Sequence, residues 1–420
     1  MKNSKKRWLY LPVEVKVREL DAKLLLSYYA ALQGFRVVIG EHKMVELAAH
    51  HYPKGIFFSK GYPNRFRKRI ITTAVKQGHK VVELDEEGLI IHDRNNYLFD
   101  RMRTDISQLV TQQYCWGPFQ QDLLLKSSTR KKKNYYITGN PRFDLLNVKY
   151  HLLYQEEIQQ LQQLYGPYIL INTRFSRYNS IVGQKKNDEH AKYIKSLFDH
   201  FINMIEQLAK QYPDKNIIIR PHPGENFSTY KKFFSPFDNV HIIHEGNIIK
   251  WLIAASVIIH NGCTSSIEAF LLQKPIISFM PITSKKFDVE LPNILGVKAT
   301  TNEEVIHLLS DLDNIQHSKS KYKKLLAYLN HYCKWSTNYF AAETILSLLY
   351  LVQGIEPKYF PPTRRLLQRK EQKYVTHFFP SFHIKEIESF YQKLNKIENR
   401  QDKFLIRNLG KNIFCIEKST

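Results

Sequence analysis

The stretch VIIHNGCTSSIEAFLLQKPIISFMP, residues 257–281, decides the fold of this chain. Its pattern predicts a buried strand (Val257–His260), a small-residue turn (Asn261–Thr264), a helix (Ser266–Leu272) and a second buried strand (Pro275–Met280). Apolar, β-branched runs on either side of a short helix are typical of a βαβ unit in a parallel sheet. Such sheets bind ligands at the turn after a strand, because the free N–H groups of the helix start attract anions. The stretch therefore predicts a site for the phosphate end of a nucleotide.

The start of the predicted helix carries a second signal. Ser265 and Glu268 have the spacing of a capping box, which would fix the first turn of the helix. Glu268 is equally suited to accept hydrogen bonds from the hydroxyl groups of a ribose. The two roles compete for the same carboxylate oxygens, and the sequence leaves both open.

Strands and helices alternate on both sides of this stretch, which predicts an α/β protein with open, parallel sheets. A length of 420 residues is too great for one core and indicates two Rossmann-like domains. We expect an N-terminal domain over residues 1–150 and a second domain over 151–350. A basic tail, 351–420, is expected to be helical, with a helix around Ile384–Ile397, and to pack back on the first domain.

The chain is strongly basic, with 62 Lys and Arg against 39 Asp and Glu and a net charge of +23. Such a charge is compatible with nucleic acid, with anionic lipid, with phosphate-bearing or acidic sugars, or with a merely solvated surface. The basic residues are spread along the chain, and no RNP, zinc-finger or helix-turn-helix signature accompanies them. We therefore expect no nucleic-acid partner, and the other three explanations remain open.

Cysteines and hydropathy bear on the compartment. Four scattered cysteines without CxxC spacing argue against a zinc site or a disulfide framework. The amino terminus has only a brief apolar run, and no run reaches the ~18–20 residues of a spanning helix. These features predict a cytoplasmic protein. Because a basic chain is attracted to anionic lipid, a peripheral location at the inner membrane is also expected.

Residues that directly follow predicted strands are the candidates for chemistry, because open α/β sheets bind ligands beyond the carboxyl ends of their strands. Four clusters satisfy this rule: Glu14, Arg18, Glu19 and Asp21; Asp85, Glu86 and Glu87; Arg220, His222 and Glu225; and His260, Asn261 and Thr264 through Glu268.

The second cluster places three carboxylates in a row before Gly88. Like charges at that distance raise one another's pKa, which suits a general acid or base; an acidic loop is the alternative. The neighbouring Arg18 and Glu19 could also form a surface ion pair of under ~1 kcal/mol.

The third cluster lies in RPHPGE, where two prolines prevent a helix from starting. Arg220 offers a planar fork that matches a phosphate group. His222 is suited to bind a phosphate or to act as an acid catalyst.

Several common motifs are absent. The sequence has no GxGxxG, no GxxxxGK[ST] and no GxSxG, which disfavours a dinucleotide oxidoreductase, a P-loop NTPase and an α/β-hydrolase. The DxD-like Asp311-Leu312-Asp313 falls at a predicted helix end and is interpreted as a solvated turn. We therefore expect no required metal.

A family resemblance appears when these segments are read together. Two Rossmann-like halves with a strand–turn–helix nucleotide site resemble the GT-B glycosyltransferases. More closely, LPVEVKVRELDAKLLL, LDEEGL, WGPFQ, TGNPRFDLL, YILINTRFSRYN, RPHPGEN and HNGCTSSIEAFLLQKPII resemble the bacterial surface carbohydrate biosynthesis protein family, in order from Leu11 to Pro281. ITGNPRFD is also similar to a stretch of Kdo transferases at the hinge between their domains.

The resemblance implies a GT-B-like enzyme with two domains facing across a cleft, which builds lipopolysaccharide, capsule or a related glycan from a nucleotide-activated sugar (CMP-, UDP- or GDP-linked). It implies no permanently bound cofactor and a glycan or lipid-linked acceptor. The nucleotide pocket would be lined by Arg220, His222, Glu225, His260, Asn261, Gly262, Thr264, Ser265, Glu268, Arg18 and Asn140. Catalytic roles would fall to Glu86, Asp85, Glu87, Glu19 and His222, with Glu86 deprotonating the acceptor hydroxyl.

Three other functions remain open. A sugar-nucleotide 2-epimerase shares the fold and needs no acceptor. A CDP-polyol phosphotransferase would use the paired histidine-bearing turns at His222 and His260. A non-catalytic scaffold for a polysaccharide assembly complex would bind no nucleotide.

Overall fold

Both sheets predicted from the strand pattern are present in the computed structural model of the protein. The structure describes residues 7–127, 134–183, 188–312, 315–355, 366–368 and 373–419. The chain divides into two units. The first comprises Met1–Leu153 and Ala327–Thr420, and the second comprises Tyr154–Leu326.

The first unit begins with alternating strands and helices: β1 Arg7–Val13, α1 Lys16–Leu32, β2 Phe35–Glu41, α2 His42–His51, β3 Ile56–Ser59, α3 Asn64–Lys76, β4 Lys80–Leu84, α4 Arg94–Asp100, α5 Thr104–Ser107, β5 Gln112–Cys115, α6 Pro118–Ser127, β6 Tyr135–Ile137, α7 Pro141–Asp144 and α8 Val148–His151.

The second unit continues the alternation: α9 Gln155–Tyr165, β7 Ile169–Asn172, α10 Glu189–Gln211, β8 Ile217–Arg220, α11 Phe227–Phe234, β9 Val240–Ile242, α12 Ile248–Ala254, β10 Val257–His260, α13 Ser265–Leu271, β11 Ile276–Phe279, α14 Glu290–Asn293, β12 Val297–Ala299, α15 Asn302–Ser310 and α16 Lys319–Tyr332, which runs into the first unit. The chain then completes the first unit with α17 Ala341–Tyr350, α18 Lys373–Phe378, α19 Ile384–Ile397, β13 Phe404–Gly410 and β14 Ile413–Lys418.

The sheet of the second unit has the order β12-β11-β10-β7-β8-β9, and its neighbouring strands are parallel. Counted along the chain, this is the 3-2-1-4-5-6 order of a Rossmann fold. The order reverses between β7 and β10. Ligands bind at such a switch point in open α/β sheets, so this edge is where the fold itself places a site.

The sheet of the first unit has the order β13-β14-β2-β1-β3-β4-β5-β6. Strands β1 to β6 are parallel, and β14 joins β2 antiparallel. The switch point of this sheet lies between β1 and β3.

The central strands are apolar on both faces because helices cover both sides of a parallel sheet. In the second unit β7, β8, β10 and β11 are buried along their whole length. The amphipathic α10 covers one face of this sheet with Leu197, Phe201, Ile205 and Leu208, among others. A rigid sheet of this kind fixes the residues at its carboxyl edge.

The carboxyl-terminal tail differs from its prediction in one respect. The helix over Ile384–Ile397 is confirmed as α19, but the tail is not simply helical. Residues 404–418 form the hairpin β13–β14, and its strand β14 extends the first sheet by pairing Ile416 with Val37 and Phe414 with Ile39. β13 is the edge strand and is largely exposed, whereas β14 lies between β13 and β2 and is buried.

The boundary at residue 350 also differs, since residues 327–350 belong to the first unit. Asp144 explains why: its carboxylate accepts the backbone N–H groups of Ala341 and Ala342, both at 2.8 Å, at the start of α17. Within the described residues, no helix combines the length and apolar character needed to cross a bilayer.

Candidate functional site

The two strands at the switch point of the second unit end in polar residues. β7 ends at Asn172 and is followed by Thr173 and Arg174, whereas β10 ends at His260 and is followed by Asn261. Asn172 and His260 are partners in the strand register. Because the two strands are parallel, these side chains lie along the same edge of the sheet.

Arg174 connects the two strand ends. Its Nε donates to the carbonyl oxygen of Asn261 at 3.0 Å, and its Nη2 donates to that of Phe287 at 3.3 Å. Among the described residues, Nη1 has no hydrogen-bond partner and the guanidinium has no carboxylate partner. A half-buried guanidinium in this situation is suited to bind a phosphate group.

Three buried amide side chains at this edge each have one atom without a hydrogen-bond partner among the described residues. These atoms are Nδ2 of Asn172, Oδ1 of Asn261 and Nδ2 of Asn293. Asn293, the last residue of α14, contacts the turn after β10, because its Oδ1 accepts the N–H of Gly262 at 2.6 Å. An unpaired buried polar atom costs roughly 1–3 kcal/mol and is rare. Three of them at two adjacent strand ends indicate a site whose polar groups serve a ligand.

The structure revises the expectation for Arg220. Its Nη1 and Nη2 donate to the carbonyl oxygens of Glu245 and Gly246 at 2.9 and 3.1 Å. The guanidinium lies over the ring of Trp251, 5.1 Å from its centroid, and burial lowers the pKa of Arg220 to about 10. The fork that the sequence assigned to a phosphate is bonded to the protein backbone. Arg174 replaces it as the candidate.

His222 is exposed after β8. The N–H of Gly224 donates to its Nδ1 at 3.1 Å, which places the proton of the neutral ring on Nε2. In this tautomer His222 is a hydrogen-bond donor at Nε2. The geometry therefore suits the phosphate-binding role better than the role of an acid catalyst, because the N–H of a neutral imidazole is a very weak acid.

Glu225 is fully buried, whereas the sequence placed it in the nucleotide pocket. Its Oε1 accepts the N–H groups of Phe175 and His222 at 3.0 and 3.1 Å, and the hydroxyl groups of Thr173 and Tyr230 also donate to this carboxyl group. Burial raises the pKa of Glu225 to about 7, against these hydrogen bonds. Glu225 ties the loops after β7 and β8 together and does not face a ligand.

His260 is also a buried connecting residue. Its Nδ1 accepts the N–H of Cys263 at 3.4 Å, and its Nε2 lies 3.2 Å from Oγ of Ser278. Burial lowers the pKa of His260 to about 3, so the ring is neutral. The ring holds the turn after β10 in place. His260 is therefore not available to act together with His222, as the CDP-polyol alternative had assumed.

The turn after β10 contains a backbone conformation that glycine adopts most easily. Gly262 has φ of +63°, and a Cβ at this position would come within 2.8 Å of Nε of Arg174. The glycine therefore makes room for the arginine at the site.

The capping-box prediction is wrong. Helix α13 begins at Ser265, its N-cap is Thr264, and no side chain caps it. Ser265 thus lies inside the first turn, Thr264 is exposed, and Glu268 is 3 % exposed. The contact of Glu268 with a ribose stays a prediction.

In the first unit, the three consecutive carboxylates point to three different cations. Asp85 pairs with Arg101, Glu86 pairs with Lys23 at 2.8 Å, and Glu87 pairs with Arg18 at 2.6 Å.

We expected the three neighbouring carboxylates to raise one another's pKa. For Glu87 this prediction is wrong, because each carboxylate is paired with its own cation. The side chain of Glu87 is half exposed, and the charge of Arg18 lowers the pKa of Glu87 to about 2. Glu87 is therefore a weak base.

The residues after β1 form a second ionic group. Glu19 is fully buried and accepts the N–H of Glu14 at 2.8 Å and Nη2 of Arg18 at 3.0 Å. Lys60, which follows β3, pairs with Glu14. Burial alone would raise the pKa of Glu19 and Glu14, but Lys60 and Arg18 outweigh it and lower both. Arg18 and Glu19 thus form a partly buried pair, with Glu19 fully buried, and not the surface pair that the sequence left open.

Asn140 lies in the same network. Its Nδ2 donates to Oε2 of Glu86 at 3.0 Å, and its Oδ1 accepts the N–H of Arg142 at 2.9 Å. Trp116 donates through Nε1 to the carbonyl oxygen of Asp85 at 2.7 Å. The segments RELDAK, LDEEGL, WGPFQ and TGNPRFD therefore meet in one buried network of the first unit.

Among the described residues, no group of three His, Cys, Asp or Glu side chains could hold a metal ion. Asp313 of the Asp311-Leu312-Asp313 turn lies outside the described residues. The expectation of a metal-independent protein stays a prediction.

No family model matches the chain, and no curated protein matches its sequence. Solved structures do match. The wall teichoic acid polymerase TagF, in a variant soaked with CDPG, is 12 % identical with a TM-score of 0.56, covering 82 % of this chain and 88 % of that chain. A putative UDP-N-acetylglucosamine 2-epimerase from Listeria monocytogenes is 12 % identical with a TM-score of 0.53, covering 85 % of this chain and 100 % of that chain. The protein has the GT-B fold.

Four residues described above were not among the predicted site residues: Lys60, Thr173, Arg174 and Asn293. Thr173 and Arg174 directly follow β7, and Lys60 directly follows β3, so the rule of inspecting strand ends would have found all three. Asn293 carried no signal, because it reaches the switch point only through the folding of the loop after β11.

Proposed function

We propose that the protein is a metal-independent glycosyltransferase that moves a sugar from a nucleotide-activated donor to a growing bacterial surface glycan. The observation that carries this proposal is the set of unpaired amide atoms of Asn172, Asn261 and Asn293 beside the carboxylate-free guanidinium of Arg174. Amide donors and acceptors suit the hydroxyl groups of a sugar or ribose, and a guanidinium suits a diphosphate.

Nucleotide-sugar transfer breaks the bond between the sugar and the phosphate oxygen, so negative charge develops on the departing phosphate. Arg174 and the Nε2–H of His222 are the donors proposed to stabilise that charge. The acceptor hydroxyl oxygen forms the new bond to the sugar and its proton is released to solvent, so the products are the glycoside and the free nucleotide.

The proposal for Glu86 changes with the structure. A general base must come within hydrogen-bond reach of the acceptor hydroxyl. Glu86 is 4 % exposed, and its two oxygens are bonded to Lys23 and Asn140. We therefore propose that Glu86 and Asp85 are positioning residues. Their bonds hold the loop after β4 at the edge of the first sheet, where the acceptor is proposed to bind.

The first test is a thermal-shift screen with CMP-, UDP-, GDP- and CDP-linked ligands. A ligand at ~100 times its dissociation constant should stabilise the protein by ~2.7 kcal/mol. Stabilisation by none of them would contradict the proposal and favour the scaffold.

Product analysis then separates the catalytic alternatives. A transferase needs an acceptor, whereas an epimerase returns an altered soluble nucleotide sugar without one. TagF was soaked with CDPG, which makes CDP-polyol transfer the second candidate. Turnover is compared for the wild type, Glu86→Gln and His222→Ala. Equal turnover in all three would remove these residues from the reaction.

A further inference from the structure

Helix α3 of the first unit presents a basic face to solvent. Its sequence NRFRKRIITTAVK contains no acidic residue. Arg65, Lys68 and Lys76 are exposed, and their spacing of 3 and 11 residues puts them on one side of the helix. No ion pair of these three side chains is found within the described part of the chain. This side of α3 therefore carries uncompensated positive charge.

An apolar groove of about 510 Å³ runs beside that face, between α2 and α3. Leu47, Phe57, Ile70 and Ala74 contribute apolar walls. Phe66 also lines the groove and is 52 % exposed, which is unusual for a phenylalanine. An apolar groove next to a row of cations is complementary to an amphiphile that has an apolar chain and an anionic head group.

We propose that this face of α2 and α3 docks on a bilayer that contains anionic phospholipid. Arg65, Lys68 and Lys76 contact lipid phosphates, Phe66 enters the interface, and the groove accepts part of an acyl chain. The net charge of +23 provides the long-range attraction. Nucleic acid fits the cations but not the groove, because the walls combine aliphatic and polar side chains with two phenylalanines and offer no series of aromatic faces for stacking.

This inference goes beyond the proposed function, because nucleotide binding at the second unit does not require the face on α3. The docking proposal and the proposed function can therefore fail separately. A variant that loses vesicle binding should keep the thermal shift produced by nucleotide, and a variant that loses nucleotide binding should still bind vesicles.

The test measures flotation of the full chain with vesicles of phosphatidylcholine alone and of phosphatidylcholine with phosphatidylglycerol at 7:3. Each cation near an anionic surface changes partitioning by roughly fivefold. Arg65→Gln/Lys68→Gln should therefore weaken binding to the mixed vesicles by roughly 30-fold. Phe66→Ser should weaken it as well, and binding should fall with added salt.

Helix α11 of the second unit supplies a matched control, since Lys231, Lys232 and Phe233 are also exposed and adjacent. Lys231→Gln/Lys232→Gln and Phe233→Ser should bind like the wild type. Three results would each overturn the proposal. The α3 and α11 variants could lose binding to the mixed vesicles equally, or the wild type could bind vesicles of pure phosphatidylcholine. The third is that the wild type retains a single-stranded RNA but does not bind the mixed vesicles. All substituted side chains are exposed, so unchanged unfolding temperatures are expected for these variants and are recorded alongside.

Discussion

The ammonium group of Lys23 lies 2.8 Å from a carboxylate oxygen of Glu86, and the two side chains are only 2 % and 3 % exposed. Lys23→Met would leave a buried carboxylate without its cation, which costs about 3–5 kcal/mol. We expect a drop of that size in the free energy of unfolding, measured by denaturant titration. The double variant Lys23→Met/Glu86→Gln should recover most of the loss, because it removes the unpaired charge and keeps an acceptor for Asn140.

The exposed pair Lys195–Asp199 provides the control, with side chains 51 % and 52 % exposed. Lys195→Met should change the free energy of unfolding by less than about 0.5 kcal/mol. A loss of similar size in Lys195→Met and Lys23→Met would show that burial of the Lys23–Glu86 pair does not matter.

Substitutions of Arg174 and Arg220 should affect nucleotide affinity differently. Arg174→Lys keeps the charge but loses the fork, so we expect at least tenfold weaker binding of the stabilising nucleotide. Arg220→Lys loses hydrogen bonds to the carbonyl groups of Glu245 and Gly246, so it should lower the unfolding temperature and leave nucleotide affinity within about threefold. Titration calorimetry of both variants measures the difference. The reverse pattern would restore Arg220 as the phosphate ligand.

Gly262→Ala should disturb both stability and binding. A side chain at φ of +63° is strained by about 1–2 kcal/mol, and its Cβ would also displace Nε of Arg174. Gly183→Ala is the matched control, since Gly183 has φ of +71° and no atom of the described residues lies within 4 Å of the added Cβ. Both variants should lose stability, but only Gly262→Ala should lose nucleotide affinity. Full affinity in Gly262→Ala would argue against Arg174 as a ligand-binding residue.

Glu225 makes stability depend on pH. Burial raises its pKa from the ordinary value of 4.5 to about 7, so the folded state holds the proton more tightly than the unfolded state. The resulting stabilisation is complete below about pH 4.5 and is lost as pH rises through about 7. Its size is at most roughly 3 kcal/mol.

Glu225→Gln removes this titration and keeps most of the hydrogen bonds, because the hydroxyl groups of Thr173 and Tyr230 can turn to accept from the new amide. The difference in free energy of unfolding between the wild type and Glu225→Gln should therefore change steadily between pH 4.5 and 7.5. Burial raises the pKa of Asp144 to about 7 as well, but that titration is common to both proteins and cancels in the difference. A difference that is constant with pH would contradict the prediction.

The sequence by itself determined the α/β class, the strand Val257–His260, the helix Ile384–Ile397 and the edge of the sheet on which a site must lie. Those features follow from local patterns: apolar β-branched runs, helical periodicity and the polarity of parallel strands. It also named Asp85, Glu86 and Glu87 as candidate catalytic residues and Arg18 and Asn140 as candidate pocket residues, and the fold brings these five into one network.

Only the tertiary structure decided what each of these side chains does. Whether a carboxylate is a base or a buried ion-pair partner depends on the cation beside it, and Lys23, Arg18 and Arg101 reach the three acids from other elements of the first unit. Likewise, Arg174 replaced Arg220 as the candidate phosphate ligand because both guanidinium groups are held by carbonyl groups far away in the chain, and those of Arg220 occupy its fork. Partners of this kind are set by the folded chain and have no signature in local sequence.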